Sequence, residues 1–94
     1  MPLYFFIFDP DKDRRNVLKH GLSLREGIAV FTSPHKLTLA SARVGEDRLM
    51  DIADVHQLVL ILVYVERSAQ IRLISLRPAS KQERLLYAKW KNKA

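Results

Sequence analysis

Cysteine is absent from this chain of 94 residues. That excludes disulfide staples and thiolate metal sites, and it fits a reducing compartment. Also missing are a Gly-rich phosphate loop, a His-Glu-x-x-His run and a Ser/His/Asp nucleophile signature. His20, His35 and His56 do not stand at ligand spacing from one another or from a carboxylate pair, so neither a metal centre nor a cofactor is expected. No apolar run approaches the roughly 20 residues that span a bilayer. The longest covers residues 58–65. The opening "MPLYFFIF" has no basic start and no small-residue cleavage site, so it reads as a strand and not as a signal peptide. A soluble cytoplasmic protein is the expectation.

What the chain has is positive charge. Sixteen Lys and Arg against ten Asp and Glu give a formal +6. In so small a chain this favours a polyanionic partner: RNA, DNA, an acidic protein or a lipid headgroup. The length predicts a single domain over residues 1–94 with a thin core.

The pattern along the chain predicts strand, helix, helix, four strands, helix. Residues 3–8 are an aromatic-rich first strand. Asp9-Pro10 starts a helix that Gly21 stops after His20. Ser23 and Glu26 form a capping box for a second helix over 24–31, ended by Ser33-Pro34. Strands follow at 36–41, 48–55, 57–66 and 70–77, with a tight turn at 54–56 and another at 67–69. Ser80 and Glu83 cap a basic helix over 81–91. The order β-α-α-β-β-β-β-α reads as α+β, a mostly antiparallel sheet with helices packed on it. "LVLILVYV" does not alternate, so both faces of that strand need cover. Its own helices supply that cover, or a partner chain takes part of the second face.

The stretch "YVERSAQIRLISLRPAS" sets Arg67, Arg72 and Arg77 in and beside the last strand, and Arg84 follows in the helix. Regular alternation places Leu73, Ser75 and Arg77 on one face and Arg72, Ile74 and Leu76 on the other. A bulge is needed to bring Arg72 to Ser75 and Arg77. Guanidinium forks suit phosphate oxygens; the plainer reading of each arginine is a solvated charge or an ion pair, such as Glu66 with Arg72 across the hairpin. His20 reads most simply as a C-terminal helix cap. Leu86 and Trp90 share a helix face, the inner side of a terminal amphipathic helix. Tyr87 or Trp90 stacking on a base is the alternative.

The order and spacing of "FDPDKDRRNVLKHGLSLREGIAVF", "GEDR" and "YVERSAQIRLISLRPASKQERLLY" resemble the BrnT toxins. These are the ribonuclease halves of BrnT/BrnA toxin–antitoxin pairs. The chain departs from the family pattern at Ile7 and Phe8, at Val65, and at Leu76 and Pro78. The resemblance implies a RelE-like fold, metal-independent cleavage of RNA, and neutralisation by a BrnA-type antitoxin. Such an antitoxin carries a ribbon-helix-helix region through which the complex binds operator DNA.

Cleavage of that kind drives the ribose 2′-OH against the adjacent phosphate. It needs a base, cations for the charge gathering on phosphorus, and an acid for the leaving 5′-oxygen. Arg77, with Arg48 or Arg72, is the expected phosphate clamp, and Glu66 or His20 the proton-transfer group. Lys19, Arg67, Lys81 and Tyr87 are expected on the flanking RNA, where phosphate contacts position the strand without reading it. A non-catalytic nucleic-acid-binding module, or a degenerate toxin that still binds its antitoxin, is the alternative.

Overall fold

The computed structural model describes residues 3–41 and 47–93. Gly45 and Glu46 of the "GEDR" stretch lie outside the described residues. The elements run β1 (Phe5–Ile7), α1 (Pro10–His20), a 3₁₀ turn (Leu24–Glu26), α2 (Gly27–Phe31), β2 (Leu37–Ala40), β3 (Arg48–Val55), β4 (Leu58–Arg67), β5 (Gln70–Pro78) and α3 (Lys81–Lys93). This is the α+β order read from the sequence. Among the described residues no helix is long and apolar enough to cross a membrane.

The helix boundaries follow from local chemistry. The Asp9 carboxylate accepts a hydrogen bond from the Asp11 N–H at 3.0 Å, and Pro10 needs no donor in the first turn. Gly21 closes α1 at φ 71°, where a Cβ would be strained, and its N–H donates to the Val17 carbonyl. The Ser23–Glu26 capping box is present, but it opens the 3₁₀ turn, and α2 proper is one short turn. Gly27 lets that turn touch the sheet: a Cβ there would meet Leu62 Cδ1 at 2.6 Å.

The sheet order is β1-β5-β4-β3-β2. β1 pairs parallel to β5 through three residues, and the other pairs are antiparallel. β1 is therefore shorter than the apolar run "MPLYFFIF" suggests. The turn between β3 and β4 is His56-Gln57, not 54–56, since Val55 pairs with Leu58. Both turn residues have positive φ, as a two-residue hairpin with right-handed strand twist requires.

Two clusters of buried side chains sandwich the sheet. On one face, called here the α1–α2 face, Leu24, Val30 and Phe31 pack on Ala53, Leu60, Leu62, Tyr64, Ile71, Leu73 and Leu76. On the other, Tyr87 and Ala79, with Trp90 alongside, pack on Ile52 and Ile61. Helices on both sides explain why β4 does not alternate. On the α1–α2 face Asp51 is fully buried. It accepts hydrogen bonds from Lys36 Nζ (2.7 Å), Thr38 Oγ1 (2.7 Å) and Tyr64 Oη (2.9 Å). Burial first, and the Asp51 charge second, push the Tyr64 phenol well above its ordinary range. The ammonium of Lys36 also sits 4.0 Å from the centre of the Phe31 ring.

β5 carries the irregularity that matters most. Val63 pairs with Ser75 and Tyr64 with Leu73, so Ile74 is an extra residue and the register shifts. Beyond the bulge, the edge of β5 is closed by a side chain instead of a strand. Asn16 of α1 is buried. Its amide donates to the carbonyls of Leu76 (2.8 Å) and Leu22 (2.7 Å), and its oxygen accepts from the Leu76 N–H at 3.1 Å. One side chain thus ties α1 to the sheet and to the following loop. We predict that Asn16→Leu strands these backbone groups and costs about 2–4 kcal/mol in urea denaturation. Asn16→Asp keeps the acceptor and should fall between Asn16→Leu and the native chain.

Candidate active-site cleft

Among the described residues, the face of the sheet opposite α2 is partly covered. α3 lies over Ile52 and Ile61, and the remainder opens beside α1. There a cleft of about 390 Å³ lies between helix and sheet. α1 lines it with Lys12, Arg15, Asn16, Lys19 and His20, positions spaced so that they share one helix face. β3 contributes Arg48, and the bulged stretch of β5 contributes Ile74 and Ser75. Among the described residues that line it, four are cations and none is a carboxylate.

The bulge decides which arginines can meet. Regular alternation separates Arg72 from Ser75, but the extra residue at Ile74 returns Arg72 to the face that carries Ser75 and Arg77. Leu73 moves instead to the buried α1–α2 face, opposite Tyr64. The register then sets Arg48, Val65, Arg72 and Ile7 in one row across four strands. Neighbouring strands lie about 4.8 Å apart, so the Arg48 and Arg72 backbones are about 10 Å apart with Val65 between them. A smaller cavity of about 120 Å³ adjoins this row, lined by Ile7, Val65, Arg67, Gln70 and Arg72.

Other expected residues are placed elsewhere. Arg77 is not among those lining the cleft. Its guanidinium forms two 2.8 Å hydrogen bonds to the two oxygens of Glu83 on α3 and one of 3.3 Å to the Pro78 carbonyl. The bond from Arg77, then those from Ser80, hold the Glu83 carboxyl down at about 2, and Glu83 in turn raises Arg77. Glu66 is exposed and pairs with Ile71, whereas Arg72 pairs with Val65. The two therefore leave opposite faces of the sheet, so they do not form the cross-strand pair suggested by the sequence, and Glu66 is not part of the cleft lining. Tyr87 is 3% exposed and donates from its hydroxyl to the His35 carbonyl at 2.9 Å. It is a core residue and has no free face for a base. Lys81 is exposed at the start of α3, outside the cleft lining.

Sequence reasoning did not single out Lys12, Arg15 or Ser75 as site residues. The signal for the first two was present: Lys12, Arg15 and Lys19 recur at helical spacing on the face that also carries Asn16. Nothing in the sequence says which side of α1 meets the sheet.

The family described as the ribonuclease toxin, BrnT, of type II toxin–antitoxin systems matches residues 8–83, most of the chain. No curated protein matches it.

The Arg77–Glu83 pair yields a prediction about acid stability. Folding lowers the Glu83 pKa from 4.5 to about 2. The pair's contribution is therefore full above the unfolded value and is lost as pH falls through the folded value. Both side chains are partly exposed, so solvent screening limits the effect to about 1–2 kcal/mol. Urea midpoints measured across this acid range should fall more steeply for the native chain than for Glu83→Gln. Arg77→Ala and Glu83→Gln should be non-additive when combined.

Proposed function

The chain belongs to the BrnT family of ribonuclease toxins of type II toxin–antitoxin systems, and from that premise we propose that the cleft between α1 and β5 is where RNA is cut, without a metal ion. The carrying observation is the convergence of Lys12, Arg15, Lys19, His20 and Arg48, from two separate elements, on one cavity. A surface charge run spreads over one helix; cations converging on a concave space match an anion held between them.

In the proposed reaction the strand lies along α1 with the scissile phosphate over Ser75. Arg48 faces the non-bridging oxygens, where charge builds as the 2′-oxygen adds to phosphorus. Arg72, one row position beyond Val65, holds the next phosphate. Lys19, Lys12 and Arg15 hold the strand along the helix. A base removes the 2′-OH proton, the O2′–P bond forms, the P–O5′ bond breaks, and the 5′-oxygen takes up a proton. The products are a 2′,3′-cyclic phosphate and a 5′-hydroxyl end. Imidazole can both accept and donate a proton near neutrality, so His20 is assigned to proton transfer and Glu66 is not. The described lining supports that reading: its one imidazole stands among four cations, which repel a divalent ion. Arg77 is read as the residue that docks α3.

The antitoxin reading follows from the same surface. A partner that silences this cleft must neutralise its cations, so its contact segment is acidic. A BrnA-type protein that also binds operator DNA is the proposed partner.

The test is cleavage of total cellular RNA by the purified protein in excess chelator. Activity should persist there. Arg48→Ala should lower it about 10²- to 10³-fold, and His20→Ala about 10²- to 10⁴-fold. Glu66→Gln should retain it. Full activity in Arg48→Ala, at native stability, would reject the cleft. Salt-sensitive RNA binding with no cleavage would instead favour a binding module.

A further inference from the structure

The cleft does not end at Arg48. On the same open face, one strand period away from the row Arg48–Val65–Arg72–Ile7, the register sets a second row: Arg67 opposite Gln70, and Gln70 opposite Phe5. Alternation puts both rows on one face, because Phe6, between Phe5 and Ile7, packs into the buried cluster on the other side. Phe5 is 61% exposed and Ile7 41% exposed, on the edge strand β1. The described residues that line the small cavity between the rows include two arginines and a glutamine.

Resting on the RNA reading above, we propose that this corner is a second nucleotide subsite. A base stacks on the open face of Phe5, Gln70 hydrogen-bonds to that base's edge, and Arg67 with Arg72 holds the adjoining phosphate. Three observations carry it. An exposed phenyl ring beside guanidinium groups is the pairing that binds single-stranded nucleic acid with little sequence preference. Gln70 supplies both a donor and an acceptor where a base edge would lie. The corner is continuous with the cleft through Arg72, which stands in the Arg48 row and also lines the small cavity. The β1 and β3 positions are three strands apart, about 14 Å, so the stacked base belongs to a nucleotide further along the strand than the one being cut. Charge alone would suit an acidic antitoxin segment as well; the open phenyl ring next to the Gln70 amide is what favours a base.

The experiment uses the full chain and uncleavable 2′-O-methyl oligoribonucleotides, a dinucleotide and a hexanucleotide. Fluorescence anisotropy would give their dissociation constants for the native chain, Phe5→Ala, Phe5→Leu, Phe5→Trp and Arg67→Ala. The native chain should bind the hexanucleotide more tightly than the dinucleotide. Phe5→Ala and Phe5→Leu should weaken hexanucleotide binding about tenfold and the dinucleotide hardly at all. Phe5→Trp should restore the lost affinity, and Arg67→Ala should flatten the salt dependence. Phe5→Leu retains apolar bulk, so a loss in that variant reports stacking and not a collapsed edge strand. Unchanged hexanucleotide affinity in both Phe5 variants would overturn the subsite, as would loss of antitoxin binding with RNA binding intact. Arg48→Ala separates the two readings. If it still cleaves fully while Phe5→Ala binds weakly, the cleft assignment fails and the subsite stands. If Arg48→Ala loses cleavage and the Phe5 variants bind normally, only the subsite fails.

Discussion

A single inserted residue in β5, held in place by one buried amide, organises the basic face of this protein. Without the bulge at Ile74, Arg72 would emerge on the side occupied by Phe31, Tyr64 and Leu62, where an unpaired guanidinium could not be solvated. With it, Leu73 and Leu76 both reach the core and Arg72 shares a surface with Ser75. Irregular edges of this kind leave backbone groups unpaired. Here Asn16 satisfies both the N–H and the C=O of Leu76, which lets a helix stand where a further strand would pair. The cationic face of α1 is thereby placed against the sheet by hydrogen bonds and not by an apolar seam. Asn16 is the one buried residue of that helix.

The two faces of the sheet are built on different chemistry. The α1–α2 face carries the aromatic cluster of Tyr4, Phe6, Phe31 and Tyr64 in mostly edge-to-face contacts. Within it the Asp51 carboxylate meets one charged and two neutral donors, so its charge is compensated and the short edge strand β2 is fastened through Lys36 and Thr38. The opposite face is half core and half open ground. α3 covers one part, docked through Tyr87 and the Arg77–Glu83 fork. The rest carries the row Arg48–Val65–Arg72 and borders the cleft that α1 lines. Positive charge in a small domain costs self-repulsion, and solvent around exposed side chains such as Arg67 lowers that cost.

Much of this could be read in advance where the signal is local. Asp9-Pro10, Gly21 and the two capping boxes give helix ends that need no tertiary information, and α1 and β3 match the expected bounds. The capping pattern could not tell a 3₁₀ turn from an α-helical one at residues 24–26, since both satisfy the same first N–H groups. The parallel pairing of β1 was hidden because three residues carry no register signal. At the site, the residue types were recognisable but their company was not. His20, Lys19 and Arg48 do share a cavity, whereas Arg77 is engaged by a carboxylate six residues away, the same Glu83 that reads as a helix cap. Tyr87 was ambiguous by composition and is settled by burial. The bulge has no sequence marker of its own: "RLISLR" is equally good as a regular strand.

Because Asn16 belongs at once to the wall of the cleft and to the seam that closes the sheet, the scaffold and the basic surface cannot drift apart independently. Loosening α1 would disturb the wall of the cleft and the edge of the sheet together. Substitutions at the charged tips of Lys12, Arg15 or Lys19, by contrast, would alter the face and leave the amide and the inserted isoleucine untouched.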